Sequence, residues 1–285
     1  MPPDGLLLIK GRNNEMKIHI LIDNIAAEGF ESEWGLAIHI EFNGHNILLD
    51  TGASGLFALN ADKLGIDLGK VDAGVLSHNH YDHADGIETF FERNSRAKFY
   101  IRKDVAENTF SLKEGFIKYS GIKAGVLDRY ANRIEYIDGD YKLFDNVFLI
   151  PHKTPGLEAI GKKVNMLRLR NGRFVYENFS HEQSLVIRTE KGLVIFNSCS
   201  HGGADNIINE VAATFPGEQV YAIIGGLHLF QFSDEDVIAL AERTANTGVQ
   251  YVITGHCSEE RGIELLKPIL DNKLIQMYSG MSIEI

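Results

Sequence analysis

The chain has 285 residues, 44% hydrophobic and 24% charged, the balance of an ordinary globular protein long enough to bury roughly three quarters of its unfolded surface. That balance excludes disorder and collagen-like repeats, and two cysteines are too few for a disulfide scaffold. A formal charge of −11 repels phosphate backbones, and no apolar run nears the ~20 residues of a bilayer span, so neither a nucleic-acid nor a membrane partner is expected.

Sparse cysteine and the lack of a signal-peptide pattern point to a reducing, cytoplasmic setting. Met16-Lys17-Ile18-His19-Ile20 reads as the opening of a first strand, so residues 1–15 are expected to be an extension and 16–285 a single domain. Strand patterns follow over 17–23, 34–42 and 45–49, with Gly44 at a hairpin turn. Asp50-Thr51-Gly52-Ala53-Ser54-Gly55 leads into a helical stretch over 56–64; it lacks the lysine of a phosphate-binding P-loop. A short strand over 71–76 runs into a polar cluster at 77–86, followed by a helix over 86–93 and a strand over 98–101. Residues 104–145 are the least regular part, and a long segment of this kind is expected to form part of a pocket wall.

The second half follows the same grammar. A hairpin is predicted from 184–188 and 192–197, then helices over 204–215, 234–248 and 259–270 alternate with strands over 220–224 and 251–254. A last strand is expected over 276–285. Histidines fall at the strand ends, which predicts an α/β fold with its site along one rim of the sheets.

The strongest chemical signal is His78-Asn79-His80-Tyr81-Asp82-His83. Three imidazoles and a carboxylate within six residues are too dense for packing. On a loop at a strand end, His78 and His80 can turn to one ion while Asp82 and His83 project toward a neighbouring position. Neutral imidazole with carboxylate suits zinc, iron or manganese with open coordination positions.

The run Ser77-His78-Asn79-His80-Tyr81-Asp82-His83-Ala84-Asp85-Gly86 resembles the H-x-H-x-D-H signature of the metallo-β-lactamase superfamily, and the resemblance extends from about Met16 to the end. It implies a four-layer αββα sandwich with metals at one edge. Asp50 matches an early aspartate close to the metals, His201 the next histidine ligand and His256 the last. By this likeness His78, His80 and His201 would hold one divalent ion, and Asp82, His83 and His256 a second. Zinc is the first expectation, with iron, manganese or magnesium as alternatives. A water between the ions would be the nucleophile against a small phosphate-bearing or cyclic ester substrate, oriented by Asp82. Asp50 and Asp85 are the expected acceptors for the ligands' outer N–H groups.

One position departs from the binuclear pattern. A bridging aspartate is expected after the strand over 220–224, and Gly225-Gly226-Leu227-His228-Leu229 puts His228 there, as an unusual ligand or a substrate-facing group. With Asn197-Ser198-Cys199-Ser200-His201-Gly202-Gly203 and Thr254-Gly255-His256-Cys257, this resembles the branch related to 7,8-dihydropterin-6-yl-methyl-4-(β-D-ribofuranosyl)aminobenzene 5′-phosphate synthase. That likeness implies an alternative activity, a transferase joining a dihydropterin pyrophosphate to an arylamine ribonucleotide. A metal-binding redox or sensor module ranks below both: diiron relatives carry glutamate where His80 stands.

The remaining residues carry weaker signals. Cys199 and Cys257 flank expected ligands, and read as small buried hydrophobes or as groups that tune the centre. Gly202-Gly203 ahead of a helix is a candidate phosphate cradle. Arg102, Lys103, Lys113, Lys118 and Arg129 could add positive charge to the pocket. His181-Glu182 reads as a surface pair, with a place facing the pocket as the alternative, His152 as loop or substrate contact, Trp34 as packing, and His19, His39 and His45 carry no motif.

Overall fold

The computed structural model describes residues 15–285 and the backbone of the short strand Leu7–Leu8. The expected extension over residues 1–15 otherwise lies outside the described residues; Leu7–Leu8 pairs in parallel with Ser282–Glu284.

Two large sheets form the centre. The first runs Leu7–Leu8, Ser282–Glu284, Lys17–Ile22, Ala37–Phe42, His45–Leu49, Ala73–Val75, Lys98–Arg102, Ile134–Ile137. The second runs Tyr141–Phe144, Val147–Pro151, Gln183–Thr189, Gly192–Phe196, Val220–Ile224, Tyr251–Thr254, Leu274–Gln276. Apart from the parallel edge pair Leu7–Leu8 and Ser282–Glu284, each sheet is antiparallel at first and turns parallel where helices make the crossovers: from His45–Leu49 onward in the first, from Gly192–Phe196 onward in the second.

Residue alternation explains the layering. Ile47 and Leu49 face the space between the sheets and Leu48 the outer side; Val194 and Phe196 face inward, Leu193 and Ile195 outward. The inward sets meet in one apolar core with Ile18, Ile20, Ile38 and Ile40. The outward sets are covered by Leu56–Lys63 and Ile87–Arg93 on one side, and by Ala204–Thr214, Asp234–Asn246 and Glu259–Leu270 on the other. The result is the αββα sandwich.

Two expectations need correction. The predicted final strand over 276–285 is two strands in different sheets, Leu274–Gln276 and Ser282–Glu284. Gly280, at φ +89°, sits in the crossing between them, where its Cβ would meet the Phe30 ring at 2.6 Å. Residues 104–145 are also more regular than their composition suggests. Thr109–Lys113 and Phe116–Tyr119 form a hairpin whose Glu114-Gly115 turn takes left-handed φ at both positions, as a two-residue turn of this kind requires. Met166–Arg170 and Arg173–Tyr176 join it in a third, four-stranded sheet. Its signals were missed because Phe110, Phe116 and Tyr119 stack on each other or meet solvent rather than alternating against the main core.

Candidate metal centre

Parallel strands that end on the same side bring their following loops to one rim. Ala73–Val75 delivers His78 and His80, and the one-turn helix Tyr81–Ala84 carries Asp82 and His83. Gly192–Phe196, Val220–Ile224 and Tyr251–Thr254 deliver His201, His228 and His256 from the other sheet. Asp50, Ser200, His228 and His256 all take left-handed backbone at this rim (φ 58°, 51°, 52° and 48°). Such concentration of rare conformations marks chain that is bent to aim side chains.

Six sequence-predicted residues converge. The rings of His78, His80 and His201 stand 4.5–5.0 Å apart, edge to face. The Nε2 atoms of all three are buried without a hydrogen-bond partner. Next to them, His83 Nε2 and His256 Nε2 approach to 3.1 Å, with Asp82 Oδ2 at 3.9 Å and 3.5 Å from them.

The outer contacts fix which ring nitrogen carries the proton. Ser77 Oγ donates to Asp50 Oδ2 at 2.6 Å, so at 2.8 Å it can only accept from His78 Nδ1–H. Asp50 Oδ2 accepts from His83 Nδ1–H at 2.9 Å. Glu182 Oε2 accepts from His201 Nδ1–H. Asn24 Nδ2 donates to His256 O, which orients the amide so that its Oδ1 accepts from His256 Nδ1–H at 3.0 Å. Each of these four rings therefore turns an Nε2 lone pair inward, the preparation of a metal ligand. Lone pairs 3.1 Å apart in a buried site call for a proton or cation between them.

The electrostatics agree. Burial, then the neighbouring imidazoles, hold His78, His80 and His256 well below the ordinary histidine pKa, so they stay neutral. Burial lowers His201 as well, against the pull of Glu182. His83 goes the other way: burial opposes its charge, but Asp82 and Asp50 together raise it. Burial raises the Asp82 carboxyl despite His83 nearby.

His228 sits against this centre, its ring 4.5 Å from that of His201. Gln231 Nε2 donates to Val164 O, so its Oε1 accepts from His228 Nε2–H at 2.8 Å. His228 Nδ1 is left buried with a free lone pair. Cys199 and Cys257 adjoin it with sulfurs 3.4 Å apart, and Cys199 Sγ lies 3.3 Å from His83 Nε2. They are buried, as small hydrophobes would be, and they also border the candidate ligands.

Several weaker sequence readings change. Asp85 does not support an imidazole; its Oδ1 accepts the backbone N–H of Lys123. Gly203 does not cradle an anion, because its N–H already donates to Ser200 O at 2.8 Å, and Gly202 packs on the His152 ring. His181-Glu182 is no surface pair: both are fully buried, and Glu182 joins His201 to His152. Glu182 and Glu210 overcome burial to raise His152 to about 10, while His201 and His152 overcome burial to pull Glu182 well down. Trp34 does more than pack, since its Nε1–H donates to Asp82 Oδ2 at 2.8 Å. An indole far away in sequence offers no motif. Glu182 could have been found, because a carboxylate beside a histidine and next to a buried strand is an unusual surface pair.

A cavity of about 440 Å³ opens onto His80, Asp82, Cys199 and His228. Ser111, Leu112, Lys113, Lys118, Tyr119 and Ser120 from the third sheet's hairpin form one wall, and Trp34 and Phe230 another. Of the five basic candidates only Lys113 and Lys118 line it; Arg102 bonds Gly139 O, Lys103 pairs with Asp138 and Arg129 with Glu88.

Residues 35–161 match the family model of the metallo-β-lactamase superfamily. The chain is 30% identical over 301 aligned positions to the 7,8-dihydropterin-6-methyl-4-(β-D-ribofuranosyl)-aminobenzene-5′-phosphate synthase of Methanocaldococcus jannaschii, covering 98% of this chain and all of that one. Among solved structures it is similar to a metal-dependent hydrolase of the β-lactamase superfamily, with a TM-score of 0.80 and 31% identity over 95% of this chain and 99% of that one. A metallo-β-lactamase fold protein of Bacillus subtilis matches at TM-score 0.54 and 11% identity, over 96% of this chain and the whole of the other, which is likeness of fold. Among the described residues, no helix is long and apolar enough to cross a membrane.

Proposed function

Since the chain belongs to the metallo-β-lactamase superfamily, we propose that it is a metal-dependent hydrolase of a small phosphate-bearing or cyclic ester substrate. The observation that carries this reading is the convergence of three partnerless Nε2 atoms, on His78, His80 and His201, beside a 440 Å³ cavity. These three would hold one divalent ion, and Asp82, His83 and His256 a second, with zinc the best match to the donor set. A bound ion of this kind polarises the oxygen of the scissile group and brings the pKa of water toward neutrality.

The chain's own groups do the rest. Asp82 is held by the Trp34 Nε1–H, which fixes its carboxylate beside His83 and His256. His228 occupies the sequence position expected for a bridging carboxylate and presents its unpartnered Nδ1 toward the substrate or an ion. Lys113 and Lys118 offset the chain's negative field at the cavity wall and suit a phosphate group.

A second reading, the pterin-type transferase, is favoured by a full-length relative of that name and by the aromatic wall of Trp34 and Phe230, edge to face at 5.3 Å. The test has two parts. Metal content is measured on protein purified without chelator and on the Asp82→Ala, His83→Ala double variant. Near two equivalents, falling toward one, are expected; no metal even after reconstitution overturns both readings. Turnover is then followed with phosphodiesters and lactones alone, and with a dihydropterin pyrophosphate plus an arylamine ribonucleotide. Hydrolysis without the arylamine supports the first reading; product formed only when both substrates are present supports the second.

A further inference from the structure

On the outer face of the first sheet, away from the rim, His19 and His39 stand directly opposite each other on antiparallel strands. Glu41 lies two residues beyond His39 and therefore on the same face. Sheet faces of this kind are ordinarily completed with apolar or solvated side chains, and here Leu48 beside His39 follows that rule. The histidines do not. Their rings are 5.9 Å apart and tilted by 30°. His39 is 2% exposed and its Nδ1 has no hydrogen-bond partner, a costly arrangement for a buried polar atom.

We propose that His19, His39 and Glu41 form a second, separate site for a first-row transition-metal ion such as zinc. One ligand atom from each residue lies within 4.8 Å of the others, and His19 Nε2 is already 3.8 Å from Glu41 Oε1. Donors about 2.1 Å from a shared ion stand about 3.4 Å apart in a tetrahedral arrangement, so side-chain rotations that move the donor atoms by about 1 Å complete the set. Ser282 Oγ contacts His19 Nδ1 at 2.8 Å, which holds the ring so that Nε2 faces Glu41. Imidazole, imidazole and carboxylate are donors for zinc, nickel or cobalt rather than for magnesium or calcium.

The three side chains border a cavity of about 380 Å³, also lined by Leu64, Ile66 and Asp67, with room for ion-bound water. Lys17 and Lys70 also line it. Lys70 is 3.6 Å from Asp67, which absorbs part of its charge. The strand that carries His19 ends at Ile22, and Asp23 beyond it accepts the His256 N–H. An ion here would clasp the two strands that lead into the catalytic rim without entering it, stabilising the fold by mass action.

The experiment uses the whole chain with its catalytic centre loaded and free metal removed. Zinc is titrated calorimetrically into the wild type, His39→Gln and Glu41→Gln, and thermal midpoints are recorded with and without zinc. One further equivalent in the wild type, lost in both variants together with its upward shift in midpoint, is the expected result, with turnover of the loaded enzyme unchanged. Glu41 is half exposed, so its variant remains informative if His39→Gln folds poorly. Identical isotherms in the three proteins, or no further equivalent in the wild type, overturn the proposal.

Discussion

The Asp50 carboxylate holds His83 from behind, Oδ2 to Nδ1 at 2.9 Å, and neither side chain is exposed at all. The same carboxylate accepts the Ser77 N–H at 2.7 Å and its hydroxyl at 2.6 Å, and that hydroxyl in turn orients His78. One residue thus sets a ligand of each proposed ion. Asp50→Asn keeps the shape and tolerates the left-handed backbone, but loses charge and one acceptor. Metal affinity should fall by roughly 10–100-fold, read by competition with a chromogenic chelator. An unchanged affinity would mean that His83 and His78 are oriented by something else.

Glu182 makes the matching link on the second sheet, between His201 and a His152 whose pKa is raised to about 10. Removing one member of a buried charged pair leaves its partner unmatched, at a cost of about 3–5 kcal/mol. Glu182→Ala should therefore lower the free energy of urea unfolding by an amount in that range. Glu210 contacts the other His152 nitrogen at 3.4 Å and moderates the loss. Adding His152→Ala should cost less than its effect alone, because the unmatched charge leaves with it. Strict additivity would show that the pair is not coupled.

Legibility followed the type of signal. The strands His45–Leu49, Val220–Ile224 and Tyr251–Thr254 end where alternation and apolar runs say they should, because each is buried between a sheet neighbour and a helix. The candidate ligand loop was visible because His78, His80, Asp82 and His83 are dense and local. Of the groups that hold those side chains, Asp50 was expected and accepts from His83; the others were not read. Asn24, Trp34 and Glu182 reach the centre from loops far away in sequence, and a single hydrogen bond leaves no period. Residues 104–145 were expected at a pocket wall, and what stayed hidden was their strands: the third sheet packs over the site rather than onto the core, so its strands Phe116–Tyr119 and Arg173–Tyr176 remain exposed and their patterning is weak.

That wall gives a prediction about substrate. Lys113 and Lys118 line the cavity without contributing to the histidine cluster. If they receive a phosphate, Lys113→Ala with Lys118→Ala should raise KM for a phosphate-bearing substrate roughly tenfold, the loss of a charge-assisted bond. Metal content and kcat should be nearly preserved. An equal fall in kcat with KM unchanged would place the lysines in the chemical step, and no effect would remove them from recognition.

Glu177 offers a test in acid. It is fully buried, 3.4 Å from His181 Nε2 and 3.9 Å from Arg168. Burial alone would raise its pKa, but His181 and Arg168 outweigh burial and bring it from 4.5 down to about 2. The folded state therefore binds this proton more weakly than the unfolded chain. The stabilisation is complete above the unfolded value and is lost as pH falls through the window from 4.5 to 2. A shift of this size corresponds to at most about 3 kcal/mol. Glu177→Gln should be less stable than wild type by up to that amount at neutral pH, by urea unfolding, with the gap closing as pH falls below 4.5. A gap that stays constant down to pH 3 would show that the carboxylate contributes shape rather than charge.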